Sequence, residues 1–173
     1  MKARASIVVV SLALCSCLGS GNGSAPENTG DGGAATGNNS VSGAVSGTTW
    51  STLSRALWVG KPAVDSAPVF IFLFEAPIQC SAITMQNWDK MLGATQSLEI
   101  GLTSTDPGVY QVAKGASVAY LLGDVNPDAD SGAVTISKVV PGMMLSGSFD
   151  VKFGADSLKG TFEAPFCAQG VEP

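Results

Sequence analysis

The feature that most restricts the fold is a two-residue apolar period in the second half of the chain. Between residues 96 and 103, Leu98, Ile100 and Leu102 alternate with Ser97, Glu99 and Thr103. Between 145 and 153, Leu145, Phe149, Val151 and Phe153 alternate with Ser146, Ser148, Asp150 and Lys152. Near the end, Leu158, Phe162 and Ala164 alternate with Lys159, Thr161 and Glu163. Successive side chains of a strand point to opposite faces, so each run predicts a strand with one face in a core and one in water. The run 69–74, VFIFLF, is apolar on both faces and predicts a central strand covered from both sides. Turn residues separate the runs at Asp106-Pro107-Gly108, Asn126-Pro127, Pro141-Gly142 and 154–157.

One segment departs from this period. Met85, Trp88 and Met91 or Leu92 recur at helical spacing, with Ser81 placed to cap the start and Gly93 the end. The expected fold is therefore all-β with one short helix over 82–92. Its architecture is an antiparallel β-sandwich or flattened barrel occupying residues 41–173, its last strands close enough in sequence to form a meander.

The N-terminus bears on the compartment. Lys2 and Arg4 precede an apolar run over 7–14, broken only by Ser11, which is the form of a signal peptide and too short for a spanning helix. The run ends in Leu14-Cys15-Ser16-Cys17. This resembles the bacterial lipobox, with Leu14 three residues and Ser16 one residue before the cysteine that receives lipid. The expectation is a signal peptide over 1–16 and lipidation of Cys17; the alternative is an ordinary cleaved signal ending near Ser20. Two acyl chains suffice for stable anchoring. Leu18 rather than Asp after the cysteine points, by the resemblance, to the outer membrane. Residues 17–40 are rich in Gly, Ser and Asn and hold no aromatic residue. Such a segment cannot bury enough apolar surface to offset its ordering entropy, so it reads as a flexible tether.

Cysteine arithmetic follows from that reading. With Cys17 acylated and Cys15 removed with the signal, Cys80 and Cys167 remain in an oxidising compartment and form the expected disulfide; two separate buried thiols are the alternative.

Composition narrows the chemistry. The chain has 173 residues, a net charge of −5 and no histidine. It offers no basic field for nucleic acid. Histidine-based nucleophile pairs and His-ligated zinc are ruled out. The polar run Asp124, Asn126, Asp128, Asp130 places oxygen ligands at alternate positions, as in the first half of a calcium loop. It lacks the central glycine and the closing glutamate, so a solvated acidic connection is the preferred reading and no metal is expected. Glu75, Asp89, Glu99, Asp150 and Glu163 supply carboxylates that could pair as acid and base if two converged. Gly47-Thr-Thr-Trp50 is one residue longer than the G-x-W of ligand-carrying lipocalin barrels. No serine-nucleophile elbow, serine–lysine dyad or phosphate loop is present, and no cofactor is called for.

Several features occur together: the cysteine-ended signal, the Gly/Asn/Ser tether and the early VSGAVSG strand at 41–47. They are joined by a mid-domain cysteine followed by a helical pattern, and by the ending GSFDVKFG (147–154) with LKGTFEAPFC (158–167). In these the chain resembles the uncharacterised secreted lipoproteins of myxobacteria. That resemblance implies an exported, disulfide-bearing β domain and carries no activity with it. The expected role is a membrane-anchored, non-catalytic envelope structural or interaction domain with a protein or glycan partner. The alternatives are a binding module for a small apolar ligand or envelope glycan, and a carboxylate-based hydrolase.

Overall fold

The computed structural model describes residues 38–60, 69–83 and 91–168. The expected signal peptide, Cys17, nearly all of the tether and the middle of the expected helix, with Met85, Trp88 and Asp89, lie outside the described residues.

Among the described residues, ten strands form two antiparallel sheets. In chain order they are β1 (Ser40–Val45), β2 (Thr48–Trp50), β3 (Arg55–Val59), β4 (Val69–Phe74), β5 (Ser97–Leu102), β6 (Gly108–Gln111), β7 (Ala116–Leu121), β8 (Ser131–Val140), β9 (Met144–Phe153) and β10 (Asp156–Pro165). The large sheet has the order β2-β1-β10-β9-β8-β6 and the small sheet β3-β4-β5-β7. The architecture is a sandwich, not a closed barrel: among the described residues the sheet edges are bridged by isolated pairs, Trp58 to Phe166 at one side and Val112 to Ala116 and Ala119 to Asp128 at the other.

The alternating runs lie where their period places them. Leu98, Ile100 and Leu102 from the small sheet meet Leu145, Phe149, Val151, Leu158 and Phe162 from the large sheet in one core. β4 is a central strand, paired with β3 and β5. Its Val69, Ile71 and Leu73 enter this core, while Phe72 and Phe74 enter a second cluster on the outer side with Leu57, Val59, Ile83, Leu92 and both domain cysteines. The second cluster exists because alternate residues of VFIFLF leave no polar face for water.

Cys80 and Cys167 are joined in a disulfide. Cys167 is also tied to the small sheet, its backbone N–H donating to the Trp58 carbonyl at 2.8 Å. The chain that leaves β10 thus runs off the large sheet onto the β3 edge and clamps Cys80 there.

The expected helix does not begin at Ala82 behind a Ser81 cap. Cys80–Ala82 is a single 3-10 turn, and Ile83 is extended at φ −92°, ψ 113°. Cys80 is held by its disulfide partner, and the chain straightens so that Ile83 reaches the second cluster.

Tight turns follow their sequence. Ser46 and Gly47 have φ of 50° and 79°, both positive, as a two-residue type I′ hairpin between β1 and β2 requires. Gly47 of the lipocalin-like string is therefore a hairpin residue, and Trp50 is a core residue whose indole N–H donates to the Thr52 carbonyl at 2.6 Å.

Two interior glycines answer to packing. Gly147 lies directly opposite Phe162, and Gly160 opposite Phe149. A Cβ on Gly147 would stand 2.2 Å from the Thr135 carbonyl oxygen and 2.8 Å from the Phe162 ring; on Gly160 it would stand 2.0 Å from the Ser40 oxygen and 2.8 Å from the Phe149 ring. Phe149 of β9 and Phe162 of β10 thus each fill the space left by a glycine on the other strand. Gly147→Ala is expected to cost on the order of 1–3 kcal/mol through overpacking, measured as a lower urea midpoint at unchanged slope. A wild-type midpoint would show that the space is not needed.

Candidate functional site

The outward face of the large sheet carries an open groove to which polar side chains contribute. Strands β1, β10 and β9 bound it through Ser40, Ser42, Thr161, Lys159 and Asp150, with Val41, Phe149 and Gly160 completing its lining, and it holds about 440 Å³. Its polar residues face outward because their neighbours Val41, Phe149, Leu158 and Phe162 are drawn into the core.

Register aligns the polar side chains in rows. Ser40, Thr161, Ser148 and Thr135 lie abreast on β1, β10, β9 and β8, and Ser42, Lys159, Asp150 and Ala133 form the adjacent row. Neighbouring rungs are about 4.8 Å apart, the strand spacing of a sheet. The Thr161 hydroxyl donates to the Asn38 carbonyl. With that proton committed, the 2.9 Å contact between Ser40 and Thr161 hydroxyls runs from Ser40 to Thr161. Ser40 in turn accepts from the Thr161 backbone N–H at 3.1 Å. Both hydroxyls are fixed by the fold, and each keeps a lone pair for a donor from outside.

The sequence-selected residues distribute differently. The acidic run does not curl. Leu122 and Val125 close a tight turn containing Asp124, and the chain then runs extended beside β7: the Tyr120 N–H donates to the Pro127 carbonyl at 3.0 Å and the Ala129 N–H to the Val118 carbonyl at 2.8 Å. It next crosses to the large sheet, where the Asp130 N–H donates to the Lys152 carbonyl at 2.8 Å and the Asp130 carboxylate accepts from the Gly154 N–H. Alternate residues of an extended chain stand roughly 7 Å apart, whereas one calcium ion draws its oxygens to about 2.4 Å from itself. Among the described residues no three Asp, Glu or Cys side chains cluster as metal ligands. The run is a strap that seals the β7 edge and joins the two sheets.

The carboxylates named from sequence fall on separate surfaces. Asp150 and Glu163 face outward on the large sheet, opposite Lys159 and Ser146 respectively. Glu75 is exposed just beyond β4. Glu99 lies on the outer face of the small sheet between Phe72 and Ala119, and Asp128 stands beyond Ala119 in the same row. Burial against this half-apolar face pushes the Glu99 carboxyl above its ordinary value, and the charge of Asp128 adds to the rise. Asp128 could not be singled out as its neighbour from sequence, because the pairing arises only when the strap packs on β7.

Inside the sandwich, Tyr120 packs edge-on against Trp50 and Phe153, with ring centroids 6.2 and 6.4 Å away. Burial raises its phenol pKa, the nearby Gln96 side chain opposes the rise, and the Glu75 charge adds to it. The apolar crevice on the other side of the small sheet, lined by Phe72, Phe74, Ile83, Met91 and Leu92, has no space that a water molecule can enter. No helix among the described residues is long and apolar enough to cross a membrane.

No family model, curated protein or solved structure matches this chain.

The Glu99 environment yields a pH test. Its folded pKa exceeds the unfolded one, so its contribution to stability is complete below the ordinary carboxylate value of 4.5 and is lost as pH rises through the folded value. Glu99→Gln is therefore expected to melt higher than wild type at pH 7, with the difference vanishing below about pH 4.5. Parallel thermal melts from pH 4 to 8 measure this, and a gap independent of pH would contradict it.

Proposed function

We propose that this chain is an exported β-sandwich, anchored to the bacterial outer membrane by lipid on Cys17, whose role is binding at the cell envelope rather than catalysis. The groove over β1, β10 and β9 carries this reading. It combines fixed hydroxyls with one acid and one amine, opens to solvent, and lies on a rigid sheet of strands up to ten residues long. Side chains held in place by sheet register meet a partner at low entropic cost.

The disulfide supports export, because such bonds persist in oxidising compartments and are rare in the cytosol. The Gly/Ser/Asn segment supports presentation at a distance from the membrane. A flexible coil of its length reaches roughly 25–30 Å root-mean-square, enough to hold a sandwich clear of lipid headgroups.

Radiolabelled palmitate is the direct test. The wild-type chain expressed in a two-membrane bacterium is expected to carry label and to fractionate with the outer membrane, while Cys17→Ser loses both. Label retained on Cys17→Ser, or an intact N-terminus on protein purified from cytosol, would contradict the anchored reading.

A further inference from the structure

We propose that the hydroxyl-lined groove binds a neutral glycan strand laid across β1, β10 and β9. This rests on the reading of the chain as an envelope-binding domain and adds the chemistry of its ligand.

The groove's hydrogen-bonding capacity selects the ligand. Ser40 and Thr161 have their protons committed within the protein, so toward solvent they present lone pairs. Asp150 presents acceptors only and Lys159 donors only. A ligand satisfying this set must donate to several oxygens and accept from one ammonium within a few ångströms. Vicinal sugar hydroxyls do both, and a carboxylate takes two of them at once.

Charge restricts the class further. Lys159 and Asp150 face one another across β10 and β9, and the groove holds no other ionisable side chain. One positive and one negative charge leave it neutral, which gives a polyanion no net field to bind. The row Ser40, Thr161, Ser148, Thr135 repeats a hydroxyl at every strand, about 4.8 Å apart. A polymer with a hydroxyl-bearing ring as its repeat can address successive rungs, as a compact metabolite cannot. A protein partner fits less well. Protein interfaces are anchored by aromatic or arginine side chains or by strand addition at a sheet edge. These two rows offer hydroxyls, one Lys, one Asp and one Ala on the face of a paired sheet.

Binding without an aromatic platform is expected to be weak, so the test is nuclear magnetic resonance titration of the ¹⁵N-labelled full-length chain. The probes are chitotetraose and cellotetraose, with a sulfated polysaccharide as the charged comparison. The expected result is saturable movement of the Ser40, Ser42, Ser148, Asp150, Lys159 and Thr161 amides with at least one neutral probe. Asp150→Ala and Lys159→Ala should each weaken binding about tenfold or more, the effect of deleting one charge-assisted hydrogen bond. Their remaining resonances should stay in place, and Lys114→Ala, on the β6–β7 turn, should bind as wild type. Movement of other surfaces, equal response to the sulfated polymer, or no movement with either sugar would overturn the proposal. The last result together with palmitate on Cys17 would remove the glycan alone. The same result without palmitate would remove the envelope reading as well.

Discussion

A sheet whose central strand is apolar on both faces cannot stop at one layer. β4 presents Val69, Ile71 and Leu73 to one side and Phe72 and Phe74 to the other, and water is excluded from both. Burying one such side chain is worth about 1.5–3 kcal/mol, so an uncovered outer face would forfeit several such terms. The large sheet supplies one cover. The other is supplied by Ile78, Cys80 and Ile83 after β4 and by Met91 and Leu92 before β5. The Cys80–Cys167 bond fixes the start of this cover to the β3 edge, where the Cys167 N–H donates to the Trp58 carbonyl. The disulfide therefore completes a layer of the fold.

The remaining edges follow the same logic. Unpaired strand edges invite association with other chains, and each of the four is short or sealed. β2 has three residues and β6 has four. Phe166 and Cys167 run along β3, and the strap of residues 127–129 runs along β7. Beyond β6, the exposed part of β8 carries a bulge beside Lys138. The acidic residues 124–130 make sense in this frame: Pro and Asp suit a segment that must turn, run extended at an edge and stay soluble. What remains available for contact is the broad outward face of the large sheet, and there register sets the hydroxyls in rows.

Much of this was legible in the sequence, and the limits have physical causes. β5, β9 and β10 are readable because period two survives wherever one face is wet, and β4 because an unbroken run of six apolar residues marks a strand covered on both faces. The pairing of Cys80 with Cys167 followed from counting thiols in an oxidising compartment. β3 was not readable: all five residues of Arg55–Val59 are buried, Arg55 among them, so no alternation remains. β2 and β6 are too short to show a period. The helix start behind a Ser81 cap was misplaced because capping preferences are local, whereas the Cys80 tether is made with residue 167. The groove was invisible for a related reason. Asp150 and Lys159 read as ordinary solvated strand residues and Ser40 as the last residue of the tether, whereas Ser40 opens β1; only the pairing of β1 with β10 and β10 with β9 brings them together.

The claim that the disulfide pins the second apolar layer is tested most directly by equilibrium unfolding of Cys80→Ser/Cys167→Ser beside the oxidised wild type. Closing a loop across 87 positions is worth about 4–5 kcal/mol in the chain-entropy model. The account predicts a loss of that order, accompanied by binding of a hydrophobic dye to the exposed Phe72–Phe74 face under conditions where the sandwich remains folded. Stability within about 1 kcal/mol of wild type, with no dye bound, would mean that the outer layer holds by itself.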